Sequence, residues 1–300
     1  MRILNFGSLN IDHVYQVDHF VRPGETLSSR SYQMFAGGKG ANQSIALGLA
    51  GAPVCHAGAI GRDGVWLRDL LEGKGVDVAF ITVTDGPSGH AIIQVTPEGE
   101  NAIILNPGAN HGITPGNAES VLRTFDSEDW MLLQNETSSI PDLLHTAHAR
   151  GMTVVFNPAP MNAAVANYPL ACVDYFIVNE IEGEELSGKQ EPRDIVTGLC
   201  DRYGARTVLT LGSRGVLYGD GDRVISVAAQ KVRAVDTTAA GDCFIGYFLA
   251  ALCSGSPVEA ALDRGCRAAA IAVTRPGAAD SLPTRGELDE AIQRDGPPTR

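Results

Sequence analysis

The stretch Val235-Asp236-Thr237-Thr238-Ala239-Ala240-Gly241-Asp242-Cys243-Phe244 sets small residues and a carboxylate at the start of a helical run. Small residues let backbone N–H groups converge on an anion, and a helix start adds a favourable dipole. Asp242 falls in the first turn, where an acidic side chain commonly serves as a stabilising cap. A carboxylate beside a phosphate-ready turn can equally take a proton from a hydroxyl. Local physics leaves both readings open.

A second glycine-rich turn, Phe35-Ala36-Gly37-Gly38-Lys39-Gly40-Ala41-Asn42, opens another helical run. It lacks the G-x-x-x-x-G-K-[ST] spacing of a P-loop. Alone, such a turn is more often a tight connection than a ligand cradle. Asn42 adds two donors and an acceptor. Asn10 and Asp12 follow a buried strand near the chain start. Polar groups at strand C-termini suit ligands, although Asn and Asp are also turn formers. Thr210-Leu211-Gly212-Ser213-Arg214-Gly215 also follows a buried strand and reads most simply as a hairpin or strand-end turn. Asn179-Glu180-Ile181-Glu182 is either a helix cap or a polar site for hydrated Mg²⁺.

These groups need elements to hold them. Apolar runs predict strands at 2–8, 130–134, 153–157, 175–178 and 207–211, with helices between them. Helical patterns also cover 43–50, 63–73, 240–253 and 257–274. The alternation implies a parallel sheet covered by helices on both faces. Two extended pieces, 11–35 and 89–106, break that rhythm; the second reads as a hairpin around Pro97-Glu98-Gly99-Glu100. They are expected to form a small accessory sheet. Segment 296–300, with Gly296-Pro297-Pro298, is expected to fray.

Composition narrows the function classes. The 300 residues are 44% hydrophobic, enough for one large core. The balance of 23 basic and 35 acidic residues gives a net charge of −12, which disfavours nucleic-acid binding. Six cysteines form no C-x-x-C pair, so the thiols are expected to be reduced and the protein cytoplasmic. The first apolar run is too short for a signal peptide, and no stretch of about 18 apolar residues predicts a membrane span. No G-x-G-x-x-G follows the first strand, which argues against a dinucleotide-dependent oxidoreductase.

Taken in order, these segments resemble the ribokinase branch of the carbohydrate kinases. Gly7-Ser8-Leu9-Asn10-Ile11-Asp12 and Gly37-Gly38-Lys39-Gly40-Ala41-Asn42 are similar to its N-terminal signature. Asn157-Pro158-Ala159-Pro160, Asn179-x-x-Glu182 and the 210–215 turn resemble its middle segments, and 236–242 resembles its C-terminal signature. The resemblance implies a doubly wound, mainly parallel α/β fold with a small β lid. The kinase domain would span 1–10, 36–88 and 107–295, and the lid 11–35 and 89–106. Lid sheets in this family often pair two subunits, so a homodimer is expected.

The resemblance also implies roles. The expected activity is ATP-dependent phosphorylation of the primary hydroxyl of a small sugar, with D-ribose the leading acceptor and another sugar or a nucleoside the alternative. A non-catalytic sugar sensor would lack the base or the anion-hole glycine, and Asp242 and Gly241 are both present. Asp242 would deprotonate the hydroxyl while Ala239, Ala240 and Gly241 form the anion hole. Asn10, Asp12, Gly38, Lys39, Gly40, Ala41, Asn42 and Glu136 would contact the sugar. Asn179, Thr210, Leu211, Gly212, Ser213, Arg214, Gly215, Gly241 and Cys266 would hold the nucleotide. Relatives often carry His or Asn at the position of Cys266, which leaves the adenine contact there open. Arg267 beside it reads as a solvated helix charge. Glu182 would help hold Mg²⁺. Asp236, Thr238, Ala272, Arg275, Gly277 and Ser281 would surround a monovalent cation, K⁺, that fixes the anion-hole loop.

Overall fold

In the computed structural model, residues 1–295 are described; the expected frayed tail, 296–300, lies outside them. The chain begins with β1 (Ile3–Phe6), β2 (Asn10–Gln16), β3 (Ser31–Gly37), α1 (Lys39–Leu49), β4 (Val54–Gly61) and α2 (Val65–Gly73). Next come β5 (Asp77–Thr84), β6 (Gly89–Val95), β7 (Asn101–Asn106), α3 (Pro115–Leu122), β8 (Trp130–Gln134), α4 (Ile140–Ala149) and β9 (Thr153–Asn157). Then follow β10 (Tyr175–Asn179), α5 (Glu180–Ser187), α6 (Pro192–Tyr203), β11 (Arg206–Thr210), β12 (Val216–Gly219) and β13 (Val224–Val227). Three helices finish the described chain: α7 (Ala240–Cys253), α8 (Val258–Ala272) and α9 (Arg285–Asp295).

Side chains alternate between the faces of a strand, so a strand buried on both faces needs apolar residues throughout. The central strands obey this. Ile3, Leu132, Val155, Ile177 and Val208 face one apolar cluster, built with α1, α2, α7 and α8. Their neighbours Leu4, Leu133, Phe156, Val178 and Leu209 face a second cluster, built with α3, α4 and α6. Helices therefore cover both faces of a nine-stranded sheet, ordered β13-β12-β11-β10-β9-β8-β1-β4-β5. Its pairs are parallel from β11 to β5, while β12 and β13 continue the edge antiparallel.

The extended pieces form their own four-stranded sheet, ordered β3-β2-β6-β7. The 89–106 hairpin is present as the antiparallel β6–β7 pair. The lid joins the main sheet through short connections, since β2 begins at Asn10, just after β1, and β3 ends at Gly37, where α1 follows.

The structure departs from the sequence reading in two places. β4 and β5 extend the main sheet, although neither was expected as a strand. β4 (Val-Cys-His-Ala-Gly-Ala-Ile-Gly) is wholly buried but rich in small residues of low strand preference. β5 is an edge strand with an irregular exposure pattern. β12 pairs antiparallel with β11, so the 210–215 turn is the loop of a hairpin, in line with the sequence reading.

Candidate active site

The parallel strands end on one side of the sheet, where ligands of open α/β sheets bind. The Gly-rich turn before α1 folds onto the end of β1. A Cβ on Gly40 would lie 2.3 Å from the Ser8 nitrogen, so only glycine permits this approach. The Ala41 N–H donates to the Ser8 carbonyl (2.8 Å) and the Gly40 N–H to Ser8 Oγ (3.2 Å). Gly38, at φ 90°, supplies the left-handed backbone the turn requires. Glu136 Oε2 accepts from the Lys39 N–H (2.9 Å) and from Ser8 Oγ. Glu136 thus fastens the turn to the end of β8, in addition to offering its other oxygen.

Asn10 and Asp12 lie at the base of the lid, beside this turn. A Cβ on Gly37 would fall 2.2 Å from an Asp12 carboxylate oxygen. Asn10 is buried, and its Oδ1 accepts from Asn110 Nδ2 (2.7 Å), a partner absent from the motifs. Burial, reinforced by the Glu136 charge, pushes the Asp12 carboxyl up to about 6.

Asp242 is buried in the first turn of α7. Its Oδ1 accepts from Gln43 Nε2 (2.8 Å) and its Oδ2 from Asn42 Nδ2 (3.3 Å). Burial raises its pKa, against the Lys39 charge and the amide hydrogen bonds, which favour ionisation. Lys39 itself is held charged: burial alone would lower its pKa, but Asp242, Glu136 and Glu182 outweigh that and raise it.

Ala239, at φ 57°, turns the chain into α7. The Ala240 N–H reaches the Thr237 carbonyl (3.2 Å), while the N–H groups of Gly241 and Asp242 fall in the first turn, where a helix offers no internal acceptor. A Cβ on Gly241 would meet nothing within 4 Å, so the space before the turn is open.

Two cavities meet at this turn. One, of 220 Å³, is polar, with Lys39, Asn179, Glu182 and Asp242 in its wall. The other, of 420 Å³, is mostly apolar, with Val216, Phe244, Cys266, Ala269 and Val273 among its lining residues. They share Thr210, Thr237, Ala240 and Gly241. Arranged this way, a phosphate chain fits the polar cavity and a flat apolar ring the other.

Not every expected residue faces a cavity. Thr210, Gly212, Ser213 and Gly215 line the apolar one, but Leu211 packs against the second core cluster and Arg214 pairs with Glu180. Arg267 is buried and pairs with Asp263 (2.8 Å), which corrects the reading of a solvated charge. Both Glu182 oxygens are engaged at 3.0 Å by the Asn179 N–H and Nδ2, a capping box. The cap reading of that segment is realised, and the same carboxylate borders the polar cavity.

Asp236 ties the loop before α7 to the segment after α8. Its Oδ1 accepts from the Thr238 N–H (2.9 Å) and Oγ1 (2.6 Å), and its Oδ2 from the Gly277 N–H (2.9 Å). Burial would raise its pKa, but these hydrogen bonds prevail and hold it below the usual carboxylate range. Ala272 and Arg275 are joined by a turn hydrogen bond, and Ser281 Oγ donates to the Ala278 carbonyl. Among the described residues, no group of three or more His, Cys, Asp or Glu side chains forms a metal-binding cluster.

Sequence reasoning missed Gln43, Gln134 and Asn110, and the Gln230–Val232 wall of the apolar cavity. Gln43 carried a usable signal: an amide inside the apolar run of α1.

A mainly parallel α/β sheet, a β lid, and a buried carboxylate beside an open helix-start turn are the arrangement expected of a phosphotransferase that acts on a hydroxyl. Residues 2–285 match the pfkB family carbohydrate kinase family, and the chain belongs to that family. Ribokinase of Haemophilus influenzae is 36% identical, over 96% of this chain and 97% of its own length. Ribokinase from Cryptococcus neoformans var. grubii, solved in complex with ADP, is 35% identical over 97% of this chain and 99% of that one, with a TM-score of 0.85. Arabidopsis thaliana ribokinase, solved with ribose and ATP, is 28% identical over 97% of this chain and 98% of that one, with a TM-score of 0.88. The chain is a sugar phosphotransferase, and the family and fold read from its sequence are borne out.

Proposed function

We propose that this enzyme transfers the γ-phosphoryl group of ATP to the primary hydroxyl of D-ribose, giving ribose 5-phosphate. One observation carries the reading: the buried Asp242 carboxylate borders the polar cavity and is joined to the sugar-side turn through Asn42 and Gln43. The names of the similar proteins, including one solved with ribose and ATP, support the same substrates.

In this mechanism Asn10, Asp12, Asn42 and the 38–41 turn hold the sugar hydroxyls, with Glu136 fixing the turn. Asp242 takes the proton as the primary hydroxyl attacks phosphorus. The first-turn N–H groups of α7 and the Lys39 ammonium stabilise the charge that develops on the transferring group. The apolar wall with Cys266 receives the base of the nucleotide, and Thr210, Gly212, Ser213 and Gly215 border its phosphates and ribose.

A Mg²⁺ ion carried on the phosphates fits a cavity with Glu182 and Asn179 in its wall, since Mg²⁺ keeps several waters and needs few protein ligands. When bound, it neutralises phosphate charge; chelation by EDTA should abolish turnover. K⁺ fits beside Asp236, whose ionised carboxylate already joins the loop to Gly277. Ala272, Arg275, Gly277 and Thr238 carbonyls and the Ser281 hydroxyl would supply its other oxygens. Replacing K⁺ by a bulky organic cation should remove most of the rate; an unchanged rate refutes this site.

The lid strand β7 has β6 as its single strand neighbour, and exposes Ile103, Ile104 and Leu105. A second copy would cover that edge, so a homodimer is proposed. Light scattering should report twice the chain mass of 31.6 kDa, and a fully active monomer refutes it. Among the described residues no helix is long and apolar enough to cross a membrane.

A panel of pentoses, hexoses and nucleosides with ATP and Mg²⁺ tests the substrate. Ribose should have the highest kcat/KM. A hexose or nucleoside exceeding it by about tenfold would reassign the acceptor within the family.

A further inference from the structure

Beneath the proposed base runs a chain of buried amides. Gln43 is fully buried; its Nε2 donates to Asp242 Oδ1 (2.8 Å) and to Asn157 Oδ1 (3.2 Å). Its Oε1 accepts from Gln134 Nε2 (2.6 Å), which also donates to Asn5 Oδ1 (2.9 Å). Asn5 Nδ2 donates to the Gly40 carbonyl and to Ser44 Oγ, both at 2.8 Å. Ser44 Oγ in turn meets His56 Nδ1 (2.7 Å), and burial pushes the His56 pKa down to about 4, so this ring is neutral.

The chain has a direction, set by groups that can only accept. Asn5 must turn its NH₂ to the Gly40 carbonyl, so its oxygen faces Gln134. Gln134 must then present its NH₂, which obliges Gln43 to offer its oxygen there. Asn157 Nδ2 donates to the Ile177 carbonyl (2.9 Å), so its oxygen faces Gln43 as well. Two backbone carbonyls therefore fix three amides, and Gln43 is left with its NH₂ against the carboxylate.

We propose that Gln43 is the positioning residue of the base, and that Asn5 and Gln134 fix which end of its amide meets Asp242. An amide NH₂ is a permanent donor. It favours the ionised carboxylate at a site where burial opposes ionisation. It also ties Oδ1, leaving the more weakly held Oδ2 for the acceptor hydroxyl. The charged groups facing Asp242 are Lys39 from α1, Glu136 from the end of β8 and Glu182 from α5. Of these, Lys39 favours the ionised form and Glu136 opposes it.

The inference rests on Asp242 being the base, so its test reads the carboxyl directly. Carbon NMR of aspartate-labelled protein follows the Asp242 titration, with Asp242→Asn identifying the resonance. Gln43→Met keeps the length and removes the donor. Its Asp242 midpoint should lie about one to two pH units above wild type. Sugar and nucleotide KM should stay within about threefold while kcat falls. Gln134→Met removes one of the two neighbours that orient the Gln43 amide, leaving Asn157, and should move the midpoint the same way by less. A folded Gln43→Met protein with a midpoint within about 0.3 units of wild type overturns the proposal. Should Gln43→Met not fold, Gln134→Met decides: a raised midpoint supports the relay and an unmoved one overturns it. The base assignment fails separately, if Asp242→Asn retains wild-type kcat.

Discussion

The two halves of the site are built from different materials. On the proposed sugar side, Asn10, Asn42, Gln43 and Asp242 are buried side chains on a strand end and at the starts of two helices. Each has hydrogen-bond partners before any ligand arrives. On the proposed nucleotide side, much of the wall is apolar, and residues 228–239 lie between β13 and α7 without a regular element. Val232 in that segment is 47% exposed. Buried polar groups are costly when left unpaired, so a wrong acceptor is penalised heavily. An apolar wall discriminates by shape, and each misfit costs less. The acceptor half should therefore carry the chemistry and its selectivity, and the donor half mainly affinity.

Substitutions on each side test this difference. The largest effect belongs to Asp242→Asn, which keeps the shape and removes the proton acceptor. We expect kcat to fall by at least about two orders of magnitude. Nucleotide affinity and thermal midpoint should move little, because Asn serves nearly as well in a first turn. A variant with more than about a third of wild-type kcat would reduce Asp242 to a helix cap.

Asp12 comes next. A hydrogen bond to a charged group is worth ~1.5–3 kcal/mol, so Asp12→Asn should raise the sugar KM by roughly 10–100-fold at pH 8. The wild-type carboxyl is ionised above about pH 6 and protonated below it. Its full acceptor capacity is thus present at neutral pH and lost as pH falls through about 6. Sugar KM should rise across that window in the wild type and stay flat in Asp12→Asn. Equal pH slopes in the two proteins would assign the titration to another group.

Cys266→Phe should have the smallest effect. Added volume in the apolar cavity costs ~1–3 kcal/mol, so the KM for ATP should rise by about tenfold while sugar KM holds. A comparable rise in sugar KM would show the two halves coupled, contrary to the contrast drawn above.

Much of this was legible because the informative residues are contiguous. The 37–42 turn and the 236–242 loop each carry their backbone requirement in a few adjacent small residues, and both stand beside the buried carboxylate. The lid was visible as two segments that broke the strand–helix rhythm. What stayed hidden was mostly long-range pairing. Gln43 and Asp242 are 199 residues apart, and Asn10 and Asn110 are 100 apart, so no local pattern links them. Arg267 was misread because a buried ion pair with Asp263, one helical turn away, has the same spacing as a solvated one. β4 escaped because tertiary burial, rather than strand preference, fixes its small residues.

The proposed chemistry fixes where the phosphoryl group lands. Phosphorus NMR of the product formed from ribose and ATP answers this in one spectrum. Transfer to the primary hydroxyl beside Asp242 gives a monoester resonance split into a triplet by the two C5 protons. A doublet, from phosphate on the anomeric or a secondary carbon, or no ester at all, would contradict it.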